Sequence, residues 1–184
     1  MRASVLQATL KELAETGYTA LSLEGVARRA GVHKTSVYRR WGTRETLVLD
    51  AVLERAGSWV PIPDTGSVRQ DLLALAREII ANNSTPEMEA VIRTFVAEAP
   101  RESALASGGR EFWTARFAAD RQIVQRGIDR GELPADTDLD LVIEALLGPL
   151  YLRLLITGQP LDMVFAQRVV DLVLTGLHAA EEPT

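Results

Sequence analysis

Apolar residues along this 184-residue chain recur every three or four positions, and nowhere do they alternate with polar ones over a strand's length. The pattern predicts an all-α protein of about nine helices. Leu6, Leu10 and Leu13 stripe a first helix over about 3–16, which Gly17 stops. Ser22 caps a second, about 23–30, with Glu24 against the positive end of its dipole and Gly25 where a capping box would place Glu or Gln. Gly31 breaks that helix, Val32 is the apolar residue of the turn, and a short third helix runs over about 34–41 to Gly42. Thr43 caps a fourth, about 44–59.

Pro61 to Gly66 is the clearest linker in the chain. Ser67 caps a helix reaching about Ala81, with a loop expected at Asn82-Asn83-Ser84. Thr85 caps the next, with Pro86 at its first position, where the missing N–H costs nothing; it ends before Pro100. Ser107-Gly108-Gly109 predicts a break before a long amphipathic helix, about 110–130. Two helices close the chain, about 138–157 and 162–180, and Pro149 should kink the first of them. The division expected is a three-helix N-terminal domain, 1–46, and a helical C-terminal domain, 47–184, with helix four connecting them.

Residues 23–41 place Ala27 where two helices cross closely, Gly31 in the turn where positive φ suits glycine, and Val37 where the third helix docks back. Ala, Gly and Val at this spacing, beside apolar Val26, Ala30 and Val32, form a helix-turn-helix pattern. At about 100° per residue, Trp41 shares the Val37 face, and Thr35 and Arg39 point the opposite way. Arg39, Thr35, Lys34 and His33 are the candidates to approach base edges. Ser36, Tyr38 and Arg44 are the candidates for phosphate, Arg44 together with the start of helix four. Arg28 is a further candidate to touch the DNA backbone. Tyr38 has a second reading as a partly buried core aromatic, and Arg28, like Arg29, one as part of a solvated face.

Net charge changes the picture only when divided. The whole chain carries −5, which alone argues against a nucleic-acid partner. Up to Glu45, eight basic residues face four acidic, a net +4; the rest holds twelve against twenty-one, −9. Six of the eight lie between Arg28 and Arg44 with no acid among them, the footprint of a phosphate-binding surface.

The run from Ser22-Leu23-Glu24-Gly25-Val26-Ala27 through Ala30-Gly31-Val32 and Val37-Tyr38-Arg39-Arg40-Trp41 to Arg44-Glu45-Thr46-Leu47 resembles the N-terminal domain of the tetracycline-repressor (TetR) family. The similarity is specific over about 3–50 and rests beyond that on helix count, length and linker. It implies a homodimer that binds a near-palindromic operator on double-stranded DNA, represses a promoter and releases DNA on binding a small molecule. A helix-turn-helix regulator without an inducer is the alternative that the residues leave open.

The 138–157 helix has almost no polar face, so it is expected to be buried on one side by the core and on the other by a second subunit. With the last helix it would build a four-helix interface, for which Leu147, Leu150, Leu154, Val169, Val173 and Leu177 are the candidates. Met88, Phe95, Phe112, Trp113, Phe117 and Tyr151 are candidates for an effector pocket, each with a reading as plain core. The resemblance is the main reason to expect a pocket, and few charges fall at inward positions, so a mainly apolar effector is preferred.

Other functions find little support. No Cys is present, and two His, at 33 and 178, leave neither an imidazole cluster nor room for a His-based triad. No phosphate loop, dinucleotide fingerprint or nucleophile elbow occurs, so neither enzyme chemistry, a metal nor a cofactor is expected. Asp136, Asp138 and Asp140 read as a loop and helix start. The most apolar run, Leu139–Ile156, is interrupted by charges, so no membrane span and a cytoplasmic protein are expected.

Overall fold

The computed structural model describes residues 1–57, 62–83, 85–98 and 104–179, and of 56, 57, 98, 178 and 179 the backbone alone. Its elements are helices: α1 (Arg2–Ala20), α2 (Leu23–Ala30), α3 (Lys34–Trp41), α4 (Arg44–Gly57), α5 (Val68–Asn83), α6 (Pro86–Glu98), α7 (Ala104–Asp129), α8 (Leu139–Leu152), a π-helical turn (Arg153–Thr157) and α9 (Met163–Ala179). No strand occurs among the described residues.

The caps follow the side chains. Ser22 accepts the Gly25 N–H at 3.0 Å, Thr85 that of Met88 at 3.3 Å, and Asp138 those of Asp140 and Leu141 at 3.0 and 3.1 Å. Gly31 sits at φ 66, and the Val32 N–H closes back on the Ala27 carbonyl at 3.0 Å, so α2 ends in a Schellman motif that needs glycine. Gly17, at φ 75 and ψ 167, ends the regular part of α1 as expected, but one further turn follows it to Ala20.

Three departures have physical causes. The break expected at Ser107-Gly108-Gly109 does not exist, because α7 runs straight through it. A β-carbon at Gly108 would meet Leu49 Cδ2 at 2.5 Å, and one at Gly109 would meet Phe95 Cδ1 at 2.4 Å. These glycines admit close neighbours instead of ending a helix. The loop expected at 82–83 is the last turn of α5, where Asn83 is buried; Ser84 lies outside the described residues. Pro149 lies inside α8, and four residues on, the Arg153 N–H is shared between the Leu150 and Pro149 carbonyls as the coil widens into its π turn.

By packing, the described residues group into two units. One unit holds α1 to α4, α6 and the head of α7 up to Trp113. Within it α1 packs on α2, α4 and α6, around Val5, Leu6, Leu13, Val26, Val37 and Leu47. The other holds α5, the remainder of α7, α8 and α9, packed around Leu72, Leu75, Ile123, Val124, Leu146 and Val170.

In that second unit the expected interface residues are core or half-buried within the single chain. Leu147, Leu150 and Val169 are in the unit's own core, at 4%, 1% and 5% exposure, and Leu154, Val173 and Leu177 are half-buried. The exposed apolar residues are instead Leu141, Leu152 and Ile156, then Val164 and Leu172. A helix apolar all round does not declare which stripe its own core takes. Here the core takes the 142-143-146-150 stripe, leaving 141, 148 and 152 outside.

Candidate nucleic-acid interface and effector site

The helix-turn-helix is held by charges as well as by its core. Arg29 is tied to α1, its Nε donating to Glu12 at 2.8 Å and its terminal nitrogens to Glu15. That pairing lowers the Glu15 carboxyl. Glu12 is itself 8% exposed, and its Oε1 occupies the space where a Gly25 β-carbon would stand, 2.5 Å away. The residue missing from the capping box is thus what lets α1 approach α2. Of the adjacent arginines, Arg29 is structural and Arg28 is exposed.

Helix α3 is anchored at its far end. Trp41, 5% exposed, donates its indole N–H to Asp50 Oδ2 of α4 at 2.8 Å. Asp50 Oδ1 accepts from Arg2 at 2.6 Å, and Arg2 also reaches Glu54 at 2.6 Å. Burial pushes the Asp50 carboxyl up, but the hydrogen bonds from Arg2 and Trp41 and the nearby Arg2 and Arg40 charges outweigh it and leave it lowered.

The outward face of α3 presents Lys34, Thr35, Tyr38 and Arg39 to solvent, with Ser36 half-buried. Arg28, Lys34 and Arg39 form no hydrogen bond or ion pair among the described residues. His33 is exposed at the N-cap, its Nδ1 2.8 Å from Thr35 Oγ1. Tyr38 is 43% exposed, so it is not core; its hydroxyl donates to Glu24 Oε1 of α2 at 2.7 Å. This bond lowers the Glu24 carboxyl and raises the Tyr38 phenol. Arg44 turns toward α1, where it donates to the Thr19 carbonyl at 2.9 Å and lies 4.4 Å over the Tyr18 ring. It therefore reaches the solvent face already partnered.

The expected pocket residues fall in two places. Met88, Phe95 and Trp113 line one apolar cavity with Val52, Ile92 and Phe112, in the first unit. Its volume is about 10 Å³, the lower limit for one water molecule. Phe117 and Tyr151 belong to the second unit and pack against its core. Sequence reasoning missed three residues: Glu24 as a hydrogen-bond partner of Tyr38, Asp50 as the anchor of α3, and Asp120, buried in α7. Asp50 was within reach as the only acid one helical turn inside the apolar stripe Leu47-Val48-Ala51; Asp120 had no local signal.

Among the described residues no helix is long and apolar enough to cross a membrane. The family described as "Bacterial regulatory proteins, tetR family" matches residues 5–51, and "Tetracyclin repressor-like, C-terminal domain" matches 62–173. The regulator AqdR of Rhodococcus erythropolis is 39% identical over 175 residues, 95% of this chain and 84% of its own length. YdeS of Bacillus subtilis, an HTH-type transcriptional regulator, is 29% identical over 96% of this chain and 89% of its own. Among solved structures, the TetR family transcription regulator SCO0332 superposes with a TM-score of 0.74 at 31% identity, over 95% of this chain and 97% of that one. FadR of Bacillus subtilis, solved with stearoyl-CoA, shares the fold with a TM-score of 0.81 at 16% identity, over 97% of this chain and all of that one. With a glycine-turned helix-turn-helix, an outward basic helix and matches over both halves of its length, the chain belongs to the TetR family of DNA-binding transcriptional regulators, which are not enzymes.

Proposed function

We propose that the protein is a dimeric repressor that reads a near-palindromic operator through α3 and is released by a small, mainly apolar ligand. The observation that carries the DNA-binding part is the outward face of α3, where Arg39 and Lys34 stand exposed without internal partners. Arg39 and Thr35 would approach base edges, with Lys34 and His33 beside them. Ser36, Tyr38, Arg44 and Arg28 would bind phosphate, Tyr38 by exchanging Glu24 for a phosphate oxygen. The domain division at about residue 46 and a cytoplasmic setting belong to the same reading.

Dimerisation is supported by the apolar residues that α8 and α9 leave in solvent: Leu141 at 59%, Leu152 at 49%, Val164 at 66% and Leu172 at 73% exposure. Large apolar side chains left this exposed on two neighbouring helices are what an association site would cover. Two copies placed by a two-fold axis would set their α3 helices in major grooves one helical turn apart.

Release by a ligand is supported by the relatedness in fold to FadR, a regulator solved with stearoyl-CoA. The small size of the Met88–Phe95–Trp113 cavity favours the second reading, a regulator without an inducer. Fluorescence anisotropy with promoter DNA from the protein's own locus tests the main reading. Specific binding at moderate salt supports it; equal affinity for random DNA sinks it. Thermal shifts with candidate compounds separate the two readings of the effector.

A further inference from the structure

We propose that Asp120, Arg116 and Tyr151 form the polar end of an effector site that takes a neutral, apolar molecule bearing a hydroxyl group. This rests on the reading that the protein responds to a small-molecule effector, and it names the chemistry that effector carries.

Asp120 is a carboxylate at 1% exposure in α7, in a unit whose core is mostly aliphatic and whose other buried carboxylate, Asp71, accepts from the Thr65 N–H and hydroxyl. Its Oδ1 accepts no hydrogen bond. Arg116, one turn earlier on the same helix, brings Nη2 to 2.9 Å, but its N–H bonds are not aimed at the oxygen's lone pairs. Asp120 is therefore neutralised in charge but not satisfied as an acceptor. Tyr151 of α8 stands in the field of both groups and hydrogen-bonds the buried Asn83 of α5. Burial pushes the Asp120 carboxyl up to about 6 against the pull of Arg116, and pushes the Tyr151 phenol up to about 12.

An interior built only for packing would place an aliphatic side chain at position 120, since an unfilled buried acceptor is destabilising. The arrangement suits an incoming donor. A second ion is disfavoured, because Arg116 and Asp120 already cancel and a further charge would be buried without a partner. A hydroxyl fits both sides: it donates to Asp120 Oδ1 and accepts from the Tyr151 phenol or an Arg116 N–H. The surrounding Leu, Ile and Val side chains fit an apolar body.

The test uses two isomers, octan-1-ol and 1-methoxyheptane, which have the same atoms but differ in possessing the donor. Binding is measured on the full chain without DNA, from the concentration dependence of the thermal shift. Wild type is expected to bind octan-1-ol at least tenfold more tightly than the ether. Asp120→Leu, its fold checked by circular dichroism, should bring the two within twofold. Tyr151→Phe, which preserves shape, should weaken octan-1-ol severalfold and carries the test alone if Asp120→Leu does not fold. Equal affinity of wild type for the isomers, no saturable binding of the alcohol, or a preference unchanged in the variants overturns the proposal. Operator binding by the ligand-free protein is measured separately. Its loss with the alcohol preference intact sinks the regulator reading alone, and the reverse result sinks this inference alone.

Discussion

Trp41 and Asp50 join α3 to α4 through a single 2.8 Å hydrogen bond, and the same carboxylate holds Arg2 at the start of the chain. Three elements thus meet on one side chain. Asp50→Ala should leave the indole N–H without its acceptor and the Arg2 guanidinium with Glu54 alone, and destabilise the protein by about 1–3 kcal/mol in urea unfolding. Asp50→Asn, which keeps an oxygen for Trp41, should lose less. Equal stability of Asp50→Ala and wild type would count against the anchor. Because the folded carboxyl lies below its ordinary pKa, this contribution is present at neutral pH and is lost as pH falls through the acid range.

Arg39→Ala should weaken operator binding by about 10- to 100-fold, the worth of a good base contact, without moving the thermal midpoint. Lys34→Ala should weaken all DNA sequences alike and lower the slope of log affinity against log salt by about one. Anisotropy titrations on operator and scrambled DNA at several salt concentrations distinguish them; a uniform loss from Arg39→Ala would remove its role at bases.

Glu24→Gln should strengthen binding to scrambled DNA more than to operator. The substitution removes the negative charge that holds the Tyr38 hydroxyl, so a phosphate gains the phenol without displacing an ion. The readout is the ratio of the two affinities, which should fall; an unchanged ratio would mean that the hydrogen bond is incidental.

Leu172→Glu should convert the proposed dimer to monomers in analytical ultracentrifugation, since Leu172 is 73% exposed in the single chain and little in its own fold depends on it. Leu147→Glu should instead unfold the protein, because Leu147 is in the core. If Leu172→Glu sediments as wild type does, the subunits meet elsewhere.

Asp120 sets an opposite pH dependence. Its folded pKa of about 6 stands above the ordinary 3.8, so the folded state binds the extra proton and stability falls as pH rises from about 4 to 6. The shift corresponds to roughly 3 kcal/mol at most. Urea unfolding of wild type and Asp120→Asn at pH 4.5 and 7.5 should show the variant gaining on wild type at the higher pH. Parallel behaviour would show that Asp120 titrates normally.

What the sequence revealed depended on distance along the chain. Gly31 and Val37 announce the helix-turn-helix because the turn and the docking residue lie within one local spacing, and the helices 23–30 and 34–41 were read to the residue. Gly108 and Gly109 misled because their purpose depends on Leu49 and Phe95, far away in sequence. Leu147 was misplaced for a related reason. In a helix that is apolar on every side, only the packed neighbours decide which leucines face inward, and Leu141 and Leu147 look alike until those neighbours are known. Tyr38 and Arg39 were correctly placed outward by helical period, but the grip of Glu24 on Tyr38 spans fourteen positions and left no periodic trace.

The two adjacent glycines of α7 also act as a gear tooth cut in reverse. Leu49 of α4 and Phe95 of α6 each sit against one notch in the head of α7, and no other adjacent pair of notches exists along that helix. Sliding α7 by one residue would set Ser107 or Arg110 against a side chain that has room only for hydrogen. The three segments therefore keep a single register, and a displacement imposed on any one of them is delivered to the others as a rigid movement instead of being absorbed by slippage.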